Sequence, residues 1–187
     1  MLDLDLGRKG GGFGRIKTVI QQLLQSGVPK ADLLQLEDGR VLSDKELNGM
    51  HKWQDPNDVD DLKSWVTALK EFSVFFSSPL DFDLMMLVAF PEAYRALELQ
   101  GGGPKKSVSS AADTIMGKNA PGLVLYKGLS KSYADHLPSY QYHFLTRSKP
   151  ATHMAAISHL KDKVIIAHLP KPIEAILQHI VDNLTRD

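Results

Sequence analysis

The sequence contains no cysteine, so the chain forms no disulfide and offers neither thiolate ligands for zinc or iron–sulfur clusters nor a cysteine nucleophile. It also has no excess charge of either sign, because 22 lysines and arginines balance 22 aspartates and glutamates. This balance gives no bulk field that would attract nucleic acid or anionic lipid, so any such contact needs a local basic patch.

Long hydrophobic runs are missing as well. No stretch approaches the roughly 20 apolar residues that a membrane helix requires, and the first residues lack the basic region and apolar run of a signal peptide. We therefore expect no membrane partner and a cytoplasmic location. With 187 residues, 43% of them hydrophobic, the chain is long enough for one domain carrying an insertion.

The chain opens with the pattern of a strand, a turn and a helix. Residues 1–6 alternate apolar and acidic side chains, residues 7–14 are rich in glycine, and residues 15–25 place apolar side chains at helical spacing. Residues 28–71 are polar and contain a helix capping pattern, so they predict a small helical insertion. The remainder, residues 1–27 and 72–187, then forms one α/β domain.

The second part of the chain begins with a β-rich run at residues 72–76. Ser78 is expected to cap the following helix, with Pro79 at its first position and a bend at Pro91.

Two further strands are predicted at residues 140–146 and 164–168. Residues 172–184 predict an amphipathic helix whose apolar face points inward. Strands separated by helical stretches indicate an α/β fold with a parallel sheet flanked by helices.

Acidic residues cluster where this fold places ligands. Asp3 and Asp5, two residues apart in a strand, are expected on one face at its carboxyl end, where neighbouring carboxylates suit Mg²⁺ or Mn²⁺. The same spacing also fits two exposed acids on a solvated edge strand. If the second strand lies beside the first, Ser78 and Asp81 could complete a metal site, with Asp83 as a further candidate; otherwise they form a helix cap.

Basic residues suggest contacts with phosphate. Arg8, Lys9 and Arg15 surround the glycine-rich turn, which could approach a DNA phosphate or serve only as a flexible basic turn. It is not a mononucleotide P-loop, because no Gly-Lys-Ser/Thr follows. Lys149, expected between a strand and a helix, could stabilise charge on a phosphoryl transition state, and Lys118 is the alternative. Either could equally be a surface lysine.

Three segments of the chain occur in a characteristic order: LDLDLGRKGGGFGRIK, FFSSPLDFDLMMLVAFPEAY and FLTRSKPATHMAAI. Together they resemble the C-terminal Toprim region of the OLD-family (overcoming lysogenization defect) nucleases, in the class with a helical insertion. The resemblance implies a Toprim-like sheet and a DNA endonuclease that hydrolyses phosphodiesters with two Mg²⁺ or Mn²⁺ ions.

Carried over by position, Asp3 and Asp5 would be metal ligands, and Ser78 and Asp81 would lie in the next metal-proximal segment. Lys149, with Lys118 as the alternative, would stabilise the transition state, and Asp5 would join it as a catalytic residue.

The resemblance has one gap. The family's Toprim domain supplies a glutamate from an earlier strand and is joined to an ATPase domain, and residues 1–187 contain neither. The expected partners are therefore DNA and an ATPase domain or upstream chain segment, homo-oligomers are compatible with the sequence, and the chain is expected to be inactive by itself.

Two other functions remain open. One is a non-catalytic remnant that binds DNA or a partner ATPase. The other is a phosphotransferase of the haloacid dehalogenase type, which also begins with an Asp-x-Asp strand. That class needs Thr or Val two residues after the second aspartate, where this chain has Gly7.

Overall fold

The computed structural model describes residues 1–35, 39–53, 59–98, 107–117 and 130–184. Most of these residues are helical, and their sheet consists of two short parallel strands, so the fold is a mixed α/β one. Strand β1 is Leu2–Asp3 and strand β2 is Phe76–Ser77, with Asp3 opposite Ser77. The coarse prediction of a mixed fold with parallel strands is confirmed.

Helices make up the rest of the described regular structure. They are α1 (Phe13–Gln25), α2 (Lys30–Leu34), α3 (Asp44–Gly49), α4 (Val59–Ala68), α5 (Phe82–Ala89), α6 (Pro91–Glu98), α7 (Val108–Met116), α8 (Ser130–Asp135), α9 (Leu137–Phe144), α10 (Lys149–Ile157), α11 (Asp162–His168) and α12 (Lys171–Leu184). Short 3₁₀ turns follow α3 and α4, at Met50–Lys52 and Leu69–Phe72. The expected interruption at Pro91 is confirmed, since α5 ends at Ala89 and α6 starts at Pro91.

Pairing between the two strand segments continues past β1 and β2 through backbone hydrogen bonds from Leu4 N to Ser77 O (3.1 Å), from Asp5 N to Leu80 O (2.6 Å) and from Leu6 N to Pro79 O (3.1 Å). The carbonyls of Pro79 and Leu80 accept these strand bonds, and the backbone of Asp81 is extended (φ −144°, ψ 177°), so neither residue belongs to the helix that follows. Helix α5 therefore starts at Phe82 with Asp81 as its N-cap, and the prediction that Ser78 is the cap is wrong.

The described part of residues 28–71 forms α2, α3, α4 and the two 3₁₀ turns. The expected capping box is present, because Ser43 and Glu46 exchange hydrogen bonds at the start of α3. Those bonds, with Arg40, hold the pKa of Glu46 at about 2. The only strand pairing among the described residues of this segment is an isolated bridge between Gln35 and Val41.

The described residues form two hydrophobic cores. One joins the residue that follows β1, strand β2 and helix α1 to the helices of residues 28–71, and its members are Leu4, Phe13, Ile16, Val19, Ile20, Leu33, Leu34, Leu42, Leu47, Met50, Leu62, Trp65, Leu69 and Phe76. The other joins α5, α6, α7, α9 and α10, and includes Leu80, Tyr94 and Tyr140. Leu6 packs against both cores. The segment just after β1 therefore lies at their junction.

Three sequence predictions in the second part of the chain are wrong. Residues 140–146 and 164–168 are not strands, because α9 and α11 occupy them. The aromatic alternation of the first segment misled because α9 is buried nearly all round, which removes the contrast between its faces. Helix α12 forms as expected, but its apolar face does not point into the core, since Leu177 is 50% exposed and Val181 52%.

No helix among the described residues has the length and apolar character needed to cross a membrane.

Candidate functional site

The acidic residues singled out from the sequence lie where β1 and β2 end. The Asp3 carboxylate stands beside the turn into α5, where its Oδ1 accepts hydrogen bonds from Ser77 Oγ at 2.7 Å and from the Phe82 N–H at 3.0 Å. The parallel pairing of the strands makes these contacts, because it places their carboxyl ends at one edge. The expected proximity of the Asp3 segment to the Ser78–Asp81 segment is confirmed.

Asp5 leaves the strand geometry. Its φ of 53° lies in the left-handed region, so the two-residue alternation that would align it with Asp3 ends there. The chain turns so tightly that a Cβ on Gly11 would lie 1.8 Å from the Asp5 carbonyl oxygen, and only glycine fits.

Two guanidinium groups bind the Asp5 carboxylate. Arg8 Nη1 lies 2.8 Å from Asp5 Oδ1, and Arg15 Nη2 lies 2.9 Å from Oδ2. Arg8 also donates from Nε to the carbonyl of Ile115 at 3.2 Å and from Nη2 to the Tyr140 hydroxyl at 3.4 Å. The two arginines expected at DNA phosphates thus bind a carboxylate of their own chain.

Asp81 is the buried acid of this edge, with 4% of its side chain exposed. Its Oδ1 caps α5 by accepting the Leu84 N–H at 3.0 Å. Its Oδ2 accepts a hydrogen bond from the Tyr140 hydroxyl and lies 3.6 Å from Arg8 Nη1. Burial raises the pKa of this carboxyl, because the hydrogen bonds only partly offset the loss of water. We call Asp5, Arg8, Arg15, Asp81 and Tyr140 the Asp5 network.

A second network starts in the first turn of α5. Asp83 Oδ1 lies 2.8 Å from His153 Nε2, and Asp83 Oδ2 contacts the Lys149 ammonium. His153 Nδ1 lies 2.6 Å from the Tyr94 hydroxyl. We call Lys149, Asp83, His153 and Tyr94 the Lys149 chain.

The Asp83 carboxyl has the opposite shift to that of Asp81. Burial alone would raise its pKa, but hydrogen bonds from His153 and Lys149, together with the charge of Lys149, hold the pKa below its usual value. Asp83 is therefore a stable anion that directs an ammonium group.

The remaining predicted residues have separate positions. Lys149 is the first residue of α10, at the end of a helix-to-helix connection rather than after a strand. Lys9 is exposed next to the Asp5 network, and Ser78 lies half-buried between β2 and α5. Lys118 lies outside the described residues.

As arranged, these residues do not by themselves fit a metal centre. Within the described ranges, no group of three or more histidine, aspartate or glutamate side chains is placed to hold a metal ion. Both oxygens of Asp5 are paired with guanidinium groups, and both oxygens of Asp81 accept hydrogen bonds. Mg²⁺ needs oxygen ligands in near-octahedral geometry, which this donor set does not supply.

Sequence reasoning missed the residues that organise the edge. Ser77, and not its neighbour Ser78, donates to Asp3. Tyr140 meets Asp81 from 59 positions away, and Tyr94 meets His153 from 59 positions away, so no local pattern marks either pair. The one available signal is that a tyrosine hydroxyl in a buried segment needs a polar partner.

No family model matches the chain, and no curated protein or solved structure matches it either.

Proposed function

We propose that the edge formed by β1 and β2 binds the DNA backbone and contributes to the centre of a Mg²⁺- or Mn²⁺-dependent endonuclease of the Toprim type. The observation that carries the proposal is the parallel pairing that sets Asp3 against the first N–H of α5, with Asp81 as the N-cap of that helix and Asp83 in its first turn. Ligand sites of open α/β sheets form at such edges. The further carboxylates that a two-metal centre requires would come from a partner chain or another segment.

The chain's own share is phosphate binding. Lys149, with 48% of its side chain exposed, can reach a bound strand while it stays paired with Asp83. Lys9 is exposed, and Arg15, 42% exposed, adds positive charge. The N-terminus of α5 is not the anion site, because Asp3 and Asp81 already accept the N–H groups of Phe82 and Leu84.

DNA binding is the direct test. Fluorescence anisotropy with a short labelled duplex, repeated over a series of salt concentrations, should give an affinity that falls as salt rises. Lys149→Ala should weaken binding and lower the salt slope by about 1. Lys171→Ala, which removes a lysine 91% exposed on α12, should leave both unchanged. Equal binding by the Lys149→Ala variant and the unmodified chain would remove Lys149 from the interface.

Cleavage tests the catalytic part of the proposal. We expect little or no nicking of supercoiled plasmid by the chain alone in Mg²⁺ or Mn²⁺, and cleavage when a partner chain or another segment supplies the further carboxylates that a two-metal centre requires. In that active form, Asp5→Ala should abolish cleavage and Lys149→Ala should reduce it by roughly 10²- to 10³-fold. Metal-dependent cleavage by the chain alone that survives Asp5→Ala would place the chemistry elsewhere.

A second candidate is a non-catalytic DNA-binding domain. The observation that favours it is the pairing of both Asp5 oxygens with arginines, which neutralises the carboxylate without a metal. Electron paramagnetic resonance of added Mn²⁺ separates the two. A nuclease half-site should bind Mn²⁺ weakly and lose it on Asp3→Asn, whereas the non-catalytic domain should bind DNA and no Mn²⁺.

A further inference from the structure

The Lys149 chain runs from the hydrophobic core to the surface. Tyr94 is 1% exposed, the His153 side chain 14%, Asp83 9% and Lys149 48%. Exposure is therefore concentrated in the ammonium group, and the groups behind it are held by the core.

When the imidazole of His153 is neutral, one assignment of hydrogens satisfies every contact among Lys149, Asp83, His153 and Tyr94. The Asp83 carboxylate can only accept, so His153 donates its Nε2–H to Asp83 and leaves Nδ1 as an acceptor. The Tyr94 hydroxyl then donates to Nδ1. Burial and the charge of Asp83 raise the pKa of Tyr94, so its proton stays in place. The hydrogen bonds from Tyr94 to His153 and from His153 to Asp83 therefore run in one direction, and the Asp83 carboxylate also accepts from Lys149.

Aromatic rings fix the orientation of the imidazole. Phe144 stacks on His153 with ring centroids 4.9 Å apart, and Phe82 approaches it edge-on at 5.3 Å. A ring clamped on two sides and hydrogen-bonded through both nitrogens has one orientation. His153 therefore holds Asp83 in a fixed position.

A tyrosine, a histidine and an aspartate in sequence also resemble an activated nucleophile. The burial of Tyr94 excludes this role, because its side chain lies in the core formed by α5, α6, α7, α9 and α10, and a phosphate at the surface cannot reach it. The buried members of the Lys149 chain therefore position the exposed ammonium group of Lys149.

We propose that His153 and Asp83 are positioning residues that hold the Lys149 ammonium at a fixed point beside the carboxyl edge of β1 and β2, ready for a non-bridging phosphate oxygen of DNA. The proposal rests on the proposed function for its ligand. It assigns the buried end of the chain, Tyr94, to the orientation of His153.

Lysine ammonium NMR tests the positioning without DNA or metal. Lys30 is the matched control, because its side chain is 40% exposed and is paired with the exposed carboxylate of Asp44 at 2.7 Å. The Lys149 ¹⁵Nζ signal, assigned by its loss in Lys149→Arg, should show slower hydrogen exchange than that of Lys30. Exchange as fast as that of Lys30 in the unmodified chain would overturn the proposal.

Substitutions at His153 separate hydrogen bonding from packing. His153→Phe keeps an aromatic ring against Phe144 but removes both polar contacts, so the slow exchange of Lys149 should be lost. His153→Gln keeps one donor and one acceptor and should retain it. Tyr94→Phe deletes a single hydroxyl from a residue that otherwise stays in place. In this variant, the hydrogen exchange of the Lys149 ammonium should become partly faster. Unchanged exchange in His153→Phe, or equal loss in folded Phe and Gln variants, would refute a positioning role.

The DNA arm uses the same variants. His153→Phe should lower the salt slope of DNA binding towards that of Lys149→Ala, and His153→Gln should not. If the NMR results are as expected but neither Lys149→Ala nor His153→Phe changes DNA binding, the proposed function is wrong and DNA is not the ligand that Lys149 is positioned for. If Lys149→Ala weakens DNA binding while the exchange of Lys149 is fast, the proposed function holds and the positioning role is refuted.

Discussion

Asp81 and Asp83 lie two residues apart at the start of α5, yet their surroundings drive them in opposite directions. Asp81 is buried, caps the helix and belongs to the Asp5 network, and its pKa is raised. Asp83 accepts from His153 and Lys149, and its pKa is lowered. Environments that separate the pKa values of two nearby acids assign them different roles. We assign Asp81 to the structure of the edge and Asp83 to holding the Lys149 ammonium for a phosphate ligand.

The two networks also differ in how their cationic side chains are paired. In the Asp5 network, Arg8 and Arg15 bind the same carboxylate, and Arg8 is further held by Ile115 and Tyr140. In the Lys149 chain, a single ammonium projects to the surface from a carboxylate that also accepts a hydrogen bond from His153. Internal neutralisation favours a rigid edge, and the exposed cation is the part that a phosphate can meet.

The largest effect should come from the loop that shapes the Asp5 network. Gly11→Ala would place a Cβ 1.8 Å from the Asp5 carbonyl oxygen, so the backbone must move, at a cost of about 3 kcal/mol or more in the free energy of unfolding. Gly14→Ala is the matched control. Its Cβ would meet only His51 Cβ at 3.8 Å, and in α1 it should stabilise by about 0.5–1 kcal/mol. Urea denaturation measures both, and a tolerated Gly11→Ala would show that the Asp5 turn is not tight.

The contrast between the two acids predicts unequal costs of neutralising them. Asp83→Asn removes charge-assisted bonds with Lys149 and His153 and should lower the free energy of unfolding by about 2 kcal/mol. Asp81→Asn should cost at most about 1 kcal/mol, since asparagine caps helices as well as aspartate and no charge remains buried. A larger cost for Asp81→Asn than for Asp83→Asn, in urea denaturation at neutral pH, would reverse the roles assigned here.

How much of this could be predicted from the sequence depends on distance along the chain. The end of α1 at Gln25, the capping box of Ser43 and Glu46 and the break at Pro91 follow from near neighbours, so the sequence predicts them, whereas α1 starts two residues earlier than predicted, at Phe13. The parallel direction of the two strand segments is also predicted, because helical stretches separate them along the chain, but the sequence leaves open whether they pair directly.

The contacts that define the two networks could not be predicted. Asp83 meets His153 across 70 positions, and periodicity carries no information about which helices become neighbours. Helix α9 was unrecognised because burial on all sides hides its period. The prediction of two acids on one face failed at Asp5 because a positive φ, unusual for a residue other than glycine, ends the strand.

Lowering the pH should affect the stabilities contributed by Asp81 and Asp83 in opposite directions. The Asp83 pKa is lower in the folded chain than in the unfolded one, so its stabilisation is present above the unfolded value of about 3.9 and is lost as pH falls through the folded value. The difference in the free energy of unfolding between the unmodified chain and Asp83→Asn should therefore shrink by about 1 kcal/mol as pH falls from 5 to 3.

Asp81 should behave in the opposite way, because its raised pKa makes the folded chain take up a proton first as pH falls. The unmodified chain should then gain stability relative to Asp81→Asn over the same pH range. Urea denaturation at each pH measures both stability differences. If the two differences change in the same direction as pH falls, the two carboxyls share one environment.

Within the Asp5 network, the hydroxyl of Tyr140 joins Asp81 to Arg8. Tyr140→Phe should lower the free energy of unfolding by about 1–1.5 kcal/mol, because a buried carboxylate loses a donor while the ring stays in place. Tyr133→Phe, in the neighbouring helix α8, is the control and should change it by less than about 0.5 kcal/mol. Equal effects in thermal or urea denaturation would show that the Tyr140 hydroxyl does not stabilise the network.

The smallest effect on stability is expected at Lys149. Its side chain is 48% exposed, whereas its partner Asp83 is 9% exposed and keeps the hydrogen bond from His153 when the ammonium is removed. Ion pairs with one exposed member contribute little, so Lys149→Ala should lower the free energy of unfolding by only about 0.5 kcal/mol. A loss above about 2 kcal/mol would place Lys149 among the structural cations, like Arg8. A small loss of stability together with a clear loss of DNA binding is the combination expected of a cation held in place for a ligand.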